Sequence, residues 1–416
     1  MAVPLLSVHL RSLGISHSTI GILNSLYAGL QLFSSPIIGS WSDIRGHRFV
    51  LQLSLLLSSI LYFVLGAVTA VPVITITRIG LGLCKHTQTL CRTLLTDVAC
   101  STNQLEVQSR LVSYGGVGFM VGPIIGGHLA ELENGFHYVC CAVTLFFWIN
   151  FAIVYFFLHN TQHEHKENNT ILERHTEETS DVKINTRIWN KKKEDIQETL
   201  PQARSRTNFP SSDIFQALTH LWNVNWSVYW DVFTLKFLLG FAQAVHYQNF
   251  SLILKEEYGI SPSGIGYTIS FQGLVGAATG FLTGWMGRFY KKDNDHVLRM
   301  LHGFAVLALS FVFLSLAPNL TFFLICLIPL SASSSLLRIV TSEVTLQRTE
   351  SDQRGSLIGS GQSMSSVARL IAPLCSGLAY DMFGSYGISL LRMAVPAAAV
   401  ALCTILCLHQ RKEKLS

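Results

Sequence analysis

Apolar residues in this chain gather into blocks of roughly 20, the length that crosses a bilayer as an α-helix. The blocks run at 18–40, 49–68, 72–97, 109–131 and 137–158, then at 228–252, 263–287, 297–317, 320–345, 355–379 and 386–408. Barrel strands would be shorter and would alternate strictly. Backbone polar groups in lipid must be satisfied within each helix, so the pattern predicts an all-α polytopic membrane protein with about eleven complete spans. Between the two sets of blocks lies 159–227, rich in Glu, Lys, Asn, Thr and His. It reads as a hydrophilic connector too poor in apolar residues to build a core. The domain reading is therefore 1–158 as an N-terminal transmembrane half, 159–227 as connector, 228–408 as a C-terminal half and 409–416 as a tail.

The two halves align with each other. Ser16, Ile20, Gly21 and Gly39 match Ser261, Ile265, Gly266 and Gly284 at an offset of 245. Arg92 and Asp97 match Arg338 and Glu343 at 246, and Pro123 and Gly127 match Pro373 and Gly377 at 250. Three matched segments in the same order predict two homologous six-helix units.

Charge adds orientation. The polar stretches holding Arg45 and Arg48, Arg110, Lys191 to Lys193, Arg288 with Lys291 and Lys292, Arg348 with Arg354, and Arg411 alternate with stretches nearly free of Lys and Arg. The basic set is expected on the cytoplasmic side, which puts the connector and the C-terminus there as well. Which membrane holds the protein is left open between plasma and internal membranes. The net charge of +5 follows from these loops and is no nucleic-acid signal. The nine Cys lie in or beside apolar blocks without CxxC or Cys/His spacing, so neither disulfide nor metal site is expected. No cofactor is implied. No nucleophile–base pair or phosphate loop stands out, which argues against an enzyme.

The stretch from Gly39 to Arg48 joins two apolar blocks in the pattern G-x-x-x-D-x-x-G-[HR]-R, with Gly39, Asp43, Arg45, Gly46 and Arg48 at the defined positions. In that setting it resembles the loop between helices 2 and 3 of the major facilitator superfamily. Gly118, Gly122, Pro123, Gly126 and Gly127 in the fifth span are similar to the antiporter motif of its drug-efflux members, such as the tetracycline exporters. The resemblance covers nearly all of the chain outside the connector and tails. It implies two six-helix halves around a central cavity. It also implies that residues 4–14 are the outer end of a first helix, so that most of helix 1 is missing. The other reading is that the natural protein begins here.

Arg78, Lys85 and Arg92 recur every seven residues in one span, nearly two helical turns, and are expected on one face. A cation at mid-bilayer costs about 2.5–3.5 kcal/mol unless it faces a cavity or a partner. Two readings of Lys85 follow. It faces the cavity and favours an anionic solute, or it pairs internally, as with Asp231, or snorkels outward. By resemblance, Asp97 pairs with the Arg45/Arg48 loop as a latch between the halves; a surface pair without mechanical consequence is the alternative. Arg338 and Glu343 are the second-half counterparts. Asp231 and His246 are candidates for carrying a proton, though a lone helix histidine is more often structural.

The functional expectation is alternating-access transport of a small solute, by proton-coupled antiport on the closest family branch. A uniporter or symporter on the same fold is the first alternative, and a shortened non-transporting protein acting through membrane partners is the second. The expected partners are the solute, protons and the lipid bilayer, with no nucleic acid.

Overall fold

The computed structural model describes residues 2–98, 104–158, 226–286, 290, 296–348 and 354–415. The connector expected over 159–227 lies outside them, except for its last two residues, which begin a helix. Among the described residues there are thirteen α-helices and no strand. They are α1 (Ala2–Ser12), α2 (His17–Arg45), α3 (His47–Ala67), α4 (Val71–Cys84), α5 (Thr87–Val98), α6 (Gln104–Ala130) and α7 (Gly135–Phe157) in the first half. The second half has α8 (Trp226–Glu256), α9 (Pro262–Met286), α10 (Val297–Ser315), α11 (Leu320–Gln347), α12 (Arg354–Phe383) and α13 (Ser385–Leu415).

Local chemistry sets the helix ends. Ser16 caps α2, its hydroxyl accepting from the Thr19 N–H at 3.2 Å. Gly46 is the single residue between α2 and α3, at φ 95°, where a side chain would be strained.

Among the described residues, five helices, α3, α7, α10, α11 and α13, are long and apolar enough to cross a membrane. In α7 and α13 only 11% and 22% of the apolar stretch is buried inside the protein, so these two turn most of their surface to lipid. The other long helices, α2, α6, α8, α9 and α12, hold more polar and small residues and pack in the middle of the molecule. Lipid gives no hydrophobic drive for helix association, so small residues that let backbones approach decide which helices meet.

Each buried apolar cluster belongs to one half. One gathers α8 to α13 around Phe250, Phe304, Phe311 and Phe323. Two others lie within the first half, around Leu10, Leu65 and Leu81 and around Val50, Leu55 and Leu90. The halves meet through two long crossings, α2 on α12 and α6 on α9. In the first, a Cβ added to Gly21 would collide with the Pro373 carbonyl, and one on Gly377 would fall 2.7 Å from the His17 carbonyl oxygen. In the second, Gly266 faces the Pro123 carbonyl and Gly127 faces Pro262 and Ser263. The two crossings use the residues that the internal repeat pairs.

The helices part toward the other end. Gly115, Gly116 and Gly118 on α6, Gly280 on α9 and Gly39 on α2 have open space where a Cβ would stand. The molecule is thus closed at the end holding the α2 N-terminus and splayed at the opposite end.

Candidate functional site

The span expected over 72–97 is interrupted. Helix α4 ends at Cys84, Lys85 takes φ −82° and ψ 77°, and α5 starts at Thr87. Side chains from α2 and α3 meet the backbone groups this frees. Ser54 donates to the Cys84 carbonyl at 2.7 Å, and Gln31 donates to that of Lys85 at 3.0 Å. Ser34 Oγ stands 2.8 Å from His86 Nε2 and 3.2 Å from the Gly82 carbonyl. Broken helices persist in membranes where protein groups satisfy the backbone in this way.

The three spaced cations lie before, at and after the break. Arg78 is buried, its Nη2 donating to Asn24 Oδ1 at 2.7 Å while the guanidinium lies 4.2 Å from the centre of the Tyr27 ring. Lys85 is half-buried and donates to the Tyr62 hydroxyl at 2.7 Å. Arg92 is exposed on α5. The seven-residue spacing therefore runs across a break and not along one unbroken helix. A cavity of about 460 Å³ opens beside the break, lined by Tyr27, Gln31, Lys85, Thr87, Gln88 and Phe147. Lys85 is its cation.

The other sequence-derived residues distribute as follows. Arg348 Nη1 donates to both carboxylate oxygens of Asp231 at 2.8 Å, so Asp231 does not serve as the internal partner of Lys85. Glu343 pairs with Arg299 at 3.3 Å and lies 3.9 Å from His296. Arg338 is exposed and donates to Ser335 at 3.1 Å. His246 is buried among Tyr247, Phe250 and Phe311, with Gln272 as a neighbouring polar side chain. In the loop between α2 and α3, Arg48 donates to the Tyr155 carbonyl at 2.6 Å and Arg45 is exposed. The Asp43 and Asp97 side chains, and with them the expected latch, lie outside the described residues. Of the glycine–proline motif, Pro123, Gly126 and Gly127 are buried and Gly118 is exposed.

Further charged groups escaped the sequence reading. Arg369 on α12 is exposed and donates to Ser366 Oγ of its own helix at 2.9 Å. Lys236 on α8 lies against Gly361 of α12, and Arg392 is buried in α13. Each interrupts an apolar run, which was the available signal. At the closed end, a polar cluster joins the halves. Arg11 binds Glu256 at 2.9 Å, Tyr380 donates to the same carboxylate at 3.0 Å, and His17 stacks on Tyr380 with ring centres 3.5 Å apart. Ser18 and Ser263, in the first turns of α2 and α9, bond to Asp381 and Glu131 of the opposite halves.

Comparison with known proteins places this geometry in context. A sequence profile of the Major Facilitator Superfamily matches residues 1–294 and 232–416. Solute carrier family 22 member 18 of Rattus norvegicus is 25% identical over 398 residues, 94% of this chain and 84% of that relative. Tetracycline resistance protein, class H, of Pasteurella multocida is 28% identical over 136 residues, 33% of this chain and 34% of that relative. Among solved structures, an inward-facing, unoccupied bacterial homologue of the human lysosomal transporter Spinster superposes with a TM-score of 0.71 at 13% identity, covering 98% of this chain and 90% of its own. The human organic anion transporter MFSD10 (TETRAN) superposes with a TM-score of 0.62 at 17% identity, covering 95% and 87%.

Proposed function

Because the chain belongs to the Major Facilitator Superfamily, we propose that it is a secondary transporter that moves a small organic solute across a membrane by alternating access. The observation that carries this reading is the pair of crossings. They hold the halves together at one end while the same helices part at the other, beside the cavity of Lys85. Rigid rocking about such crossings exposes a central site to one side at a time, with no covalent chemistry. With the basic loops on the cytoplasmic side, the splayed end faces inward.

Lys85 gives the cavity its charge preference. Its ammonium is anchored on a neutral hydroxyl, so its charge stays uncompensated by that bond and favours a negatively charged group on the solute. Exchange for protons is the mode favoured by the glycine–proline motif, whose Pro123 and Gly127 lie in the α6–α9 crossing.

The test is uptake into proteoliposomes of the full chain, with organic anions, organic cations and neutral solutes, and with Lys85→Ala in parallel. Saturable uptake of at least one solute, weakened in Lys85→Ala, is expected. Failure of every solute with a cooperatively melting protein would remove the transporter reading, and unchanged uptake in Lys85→Ala would remove the site.

A further inference from the structure

The closed end buries an imidazole between the two halves. His17 is the first residue of α2, just outside the apolar block that begins at 18, and only 3% of it is exposed. Its ring lies face to face with that of Tyr380 on α12, centres 3.5 Å apart and planes 24° apart. Its backbone carbonyl marks the closest approach of α2 to α12, 2.7 Å from a Cβ on Gly377. Among the described residues, neither ring nitrogen has a hydrogen-bond partner. Nε2 stands 3.6 Å from Glu256 Oε1 of α8, but that carboxylate is already served. Arg11 of the first half donates to Oε1 at 2.9 Å, and Tyr380 donates to Oε2 at 3.0 Å. Burial, and then the Glu256 contact, push the Tyr380 hydroxyl up to about 12, so it remains a donor across the neutral and acid range. Asp381, the other acid facing His17, accepts the Ser18 N–H at 3.0 Å. The ring is thus enclosed by Arg11 from the first half and by Glu256, Tyr380 and Asp381 from the second.

A proton on that ring is opposed in three ways. A cation taken from water into a dry contact loses its hydration. The start of a helix is its positive end, where a cation is disfavoured. Arg11 is a like charge on the same carboxylate. Glu256 and Asp381 pull the other way, but burial is the largest influence and holds His17 below its ordinary value, with Glu256 raising it, Arg11 lowering it and Asp381 raising it in turn. Parting α2 from α12 returns the ring to water, where an imidazole titrates near 6.5. A base depressed in the closed form contributes fully to closure above its free value, and the contribution is lost as pH falls below about 6.5 toward the depressed value. Glu131 and Asp381, both held low by their serines, keep their charge through this window. We propose that His17 is a proton-operated release of the closed end: the neutral ring fills the α2–α12 crossing, and a proton arriving from the outer solution parts it, so that outer acid favours the outward-open form. This rests on the orientation and rocking motion of the transporter reading above and adds to them a regulator at the outer end.

The experiment follows the outer end directly. Spin labels on cysteines introduced at Leu13 and Tyr386, exposed positions of the two halves, report the distance across it in nanodiscs of the full chain, against the parent without the added cysteines. From about pH 7.5 to about pH 5 the long-distance population is expected to rise about fivefold, the lower end of the usual range for two coupled events in one protein. His17→Gln, neutral at every pH, should stay closed and lose the rise. Arg11→Gln, the second variant, frees Glu256 to pair with a protonated His17 and should shrink or reverse the rise, whether or not His17→Gln folds. No change of distance with pH in the parent, an unchanged rise in His17→Gln, or an unchanged rise in Arg11→Gln should the first variant not fold, would overturn the proposal. Solute uptake into proteoliposomes, run beside it, separates the two readings. A rise lost in His17→Gln with no solute transported would keep the release and remove the transporter; saturable uptake with a distance indifferent to pH would do the reverse.

Discussion

The backbone N–H of Ser18 donates to the Asp381 carboxylate at 3.0 Å, joining the first turn of α2 to the last turn of α12 across the two halves. Its repeat counterpart does the same. Ser263, in the first turn of α9, donates its N–H and hydroxyl to Glu131 at 3.3 and 2.5 Å. The closed end is therefore fastened twice, by an acid from each half on the positive N-terminus of a helix from the other.

These fastenings set a pH dependence. Hydrogen bonds from Ser263 and then Ser261 hold the Glu131 carboxyl below its ordinary value. A group depressed in the closed form contributes fully above its free pKa, near 4.3, and the contribution is lost as pH falls through the depressed value. The closed end should loosen only in acid on that side. Spin labels at the α6 and α9 ends would report the distance. Glu131→Gln should be looser at neutral pH and less responsive to acid in that range, the response that remains there coming from Asp381, which its Ser18 hydrogen bonds also hold low; a pH response equal to that of the parent would exclude this role.

The backbone approach at the crossings predicts intolerance of a single methyl. Alanine at Gly21 or Gly266 puts Cβ against the carbonyl of Pro373 or Pro123. Overpacking of this kind costs about 1–3 kcal/mol, and it falls on the closed-end arrangement. Labelling of a cysteine at position 18 or 263 by an impermeant thiol reagent should rise in either variant, and Gly118→Ala, at an open position, should leave it unmoved.

Tyr62 holds Lys85 through its hydroxyl and lies 5.0 Å, ring centre to ammonium, from the charge. Tyr62→Phe keeps the ring and removes the acceptor, a loss of about 1 kcal/mol in a typical hydrogen bond. Solute affinity should change about fivefold while melting moves little; Lys85→Ala should lower affinity further. A Tyr62→Phe variant with parental affinity would mean that the orientation of Lys85 does not matter.

The Asp231–Arg348 pair binds the start of α8 to the end of α11. Asp231→Asn removes the charge from a bond of the stronger, charge-assisted class, and a cost of about 1.5–3 kcal/mol is expected. Melting in detergent should fall by several degrees. An unchanged midpoint would show the pair to be neutral in stability.

How much of this was legible in the sequence depends on what each signal records. Apolar blocks record immersion in lipid, so the long helices and the repeat were readable, down to the Pro123/Pro373 and Gly21/Gly266 correspondences. The break at Lys85 was not, because residues 72–97 read as one span straight through their polar stretch from Lys85 to Thr89. What permits it is Ser34, Ser54 and Gln31 on other helices. Pairing was the least legible feature. Asp231 is one internal partner the sequence offers Lys85, but it lies beside Arg348, 117 residues away in sequence.

The position of the crossings has a mechanical consequence. Pro373 lies near one end of α12, and the 19 residues back to Arg354 form an arm of roughly 28 Å at 1.5 Å per residue. Tilting that arm by about 10° carries its tip about 5 Å, the width of a small organic molecule. Packing changes at Gly21 and Gly266 too small to alter the fold are thus geared up into an aperture of solute size.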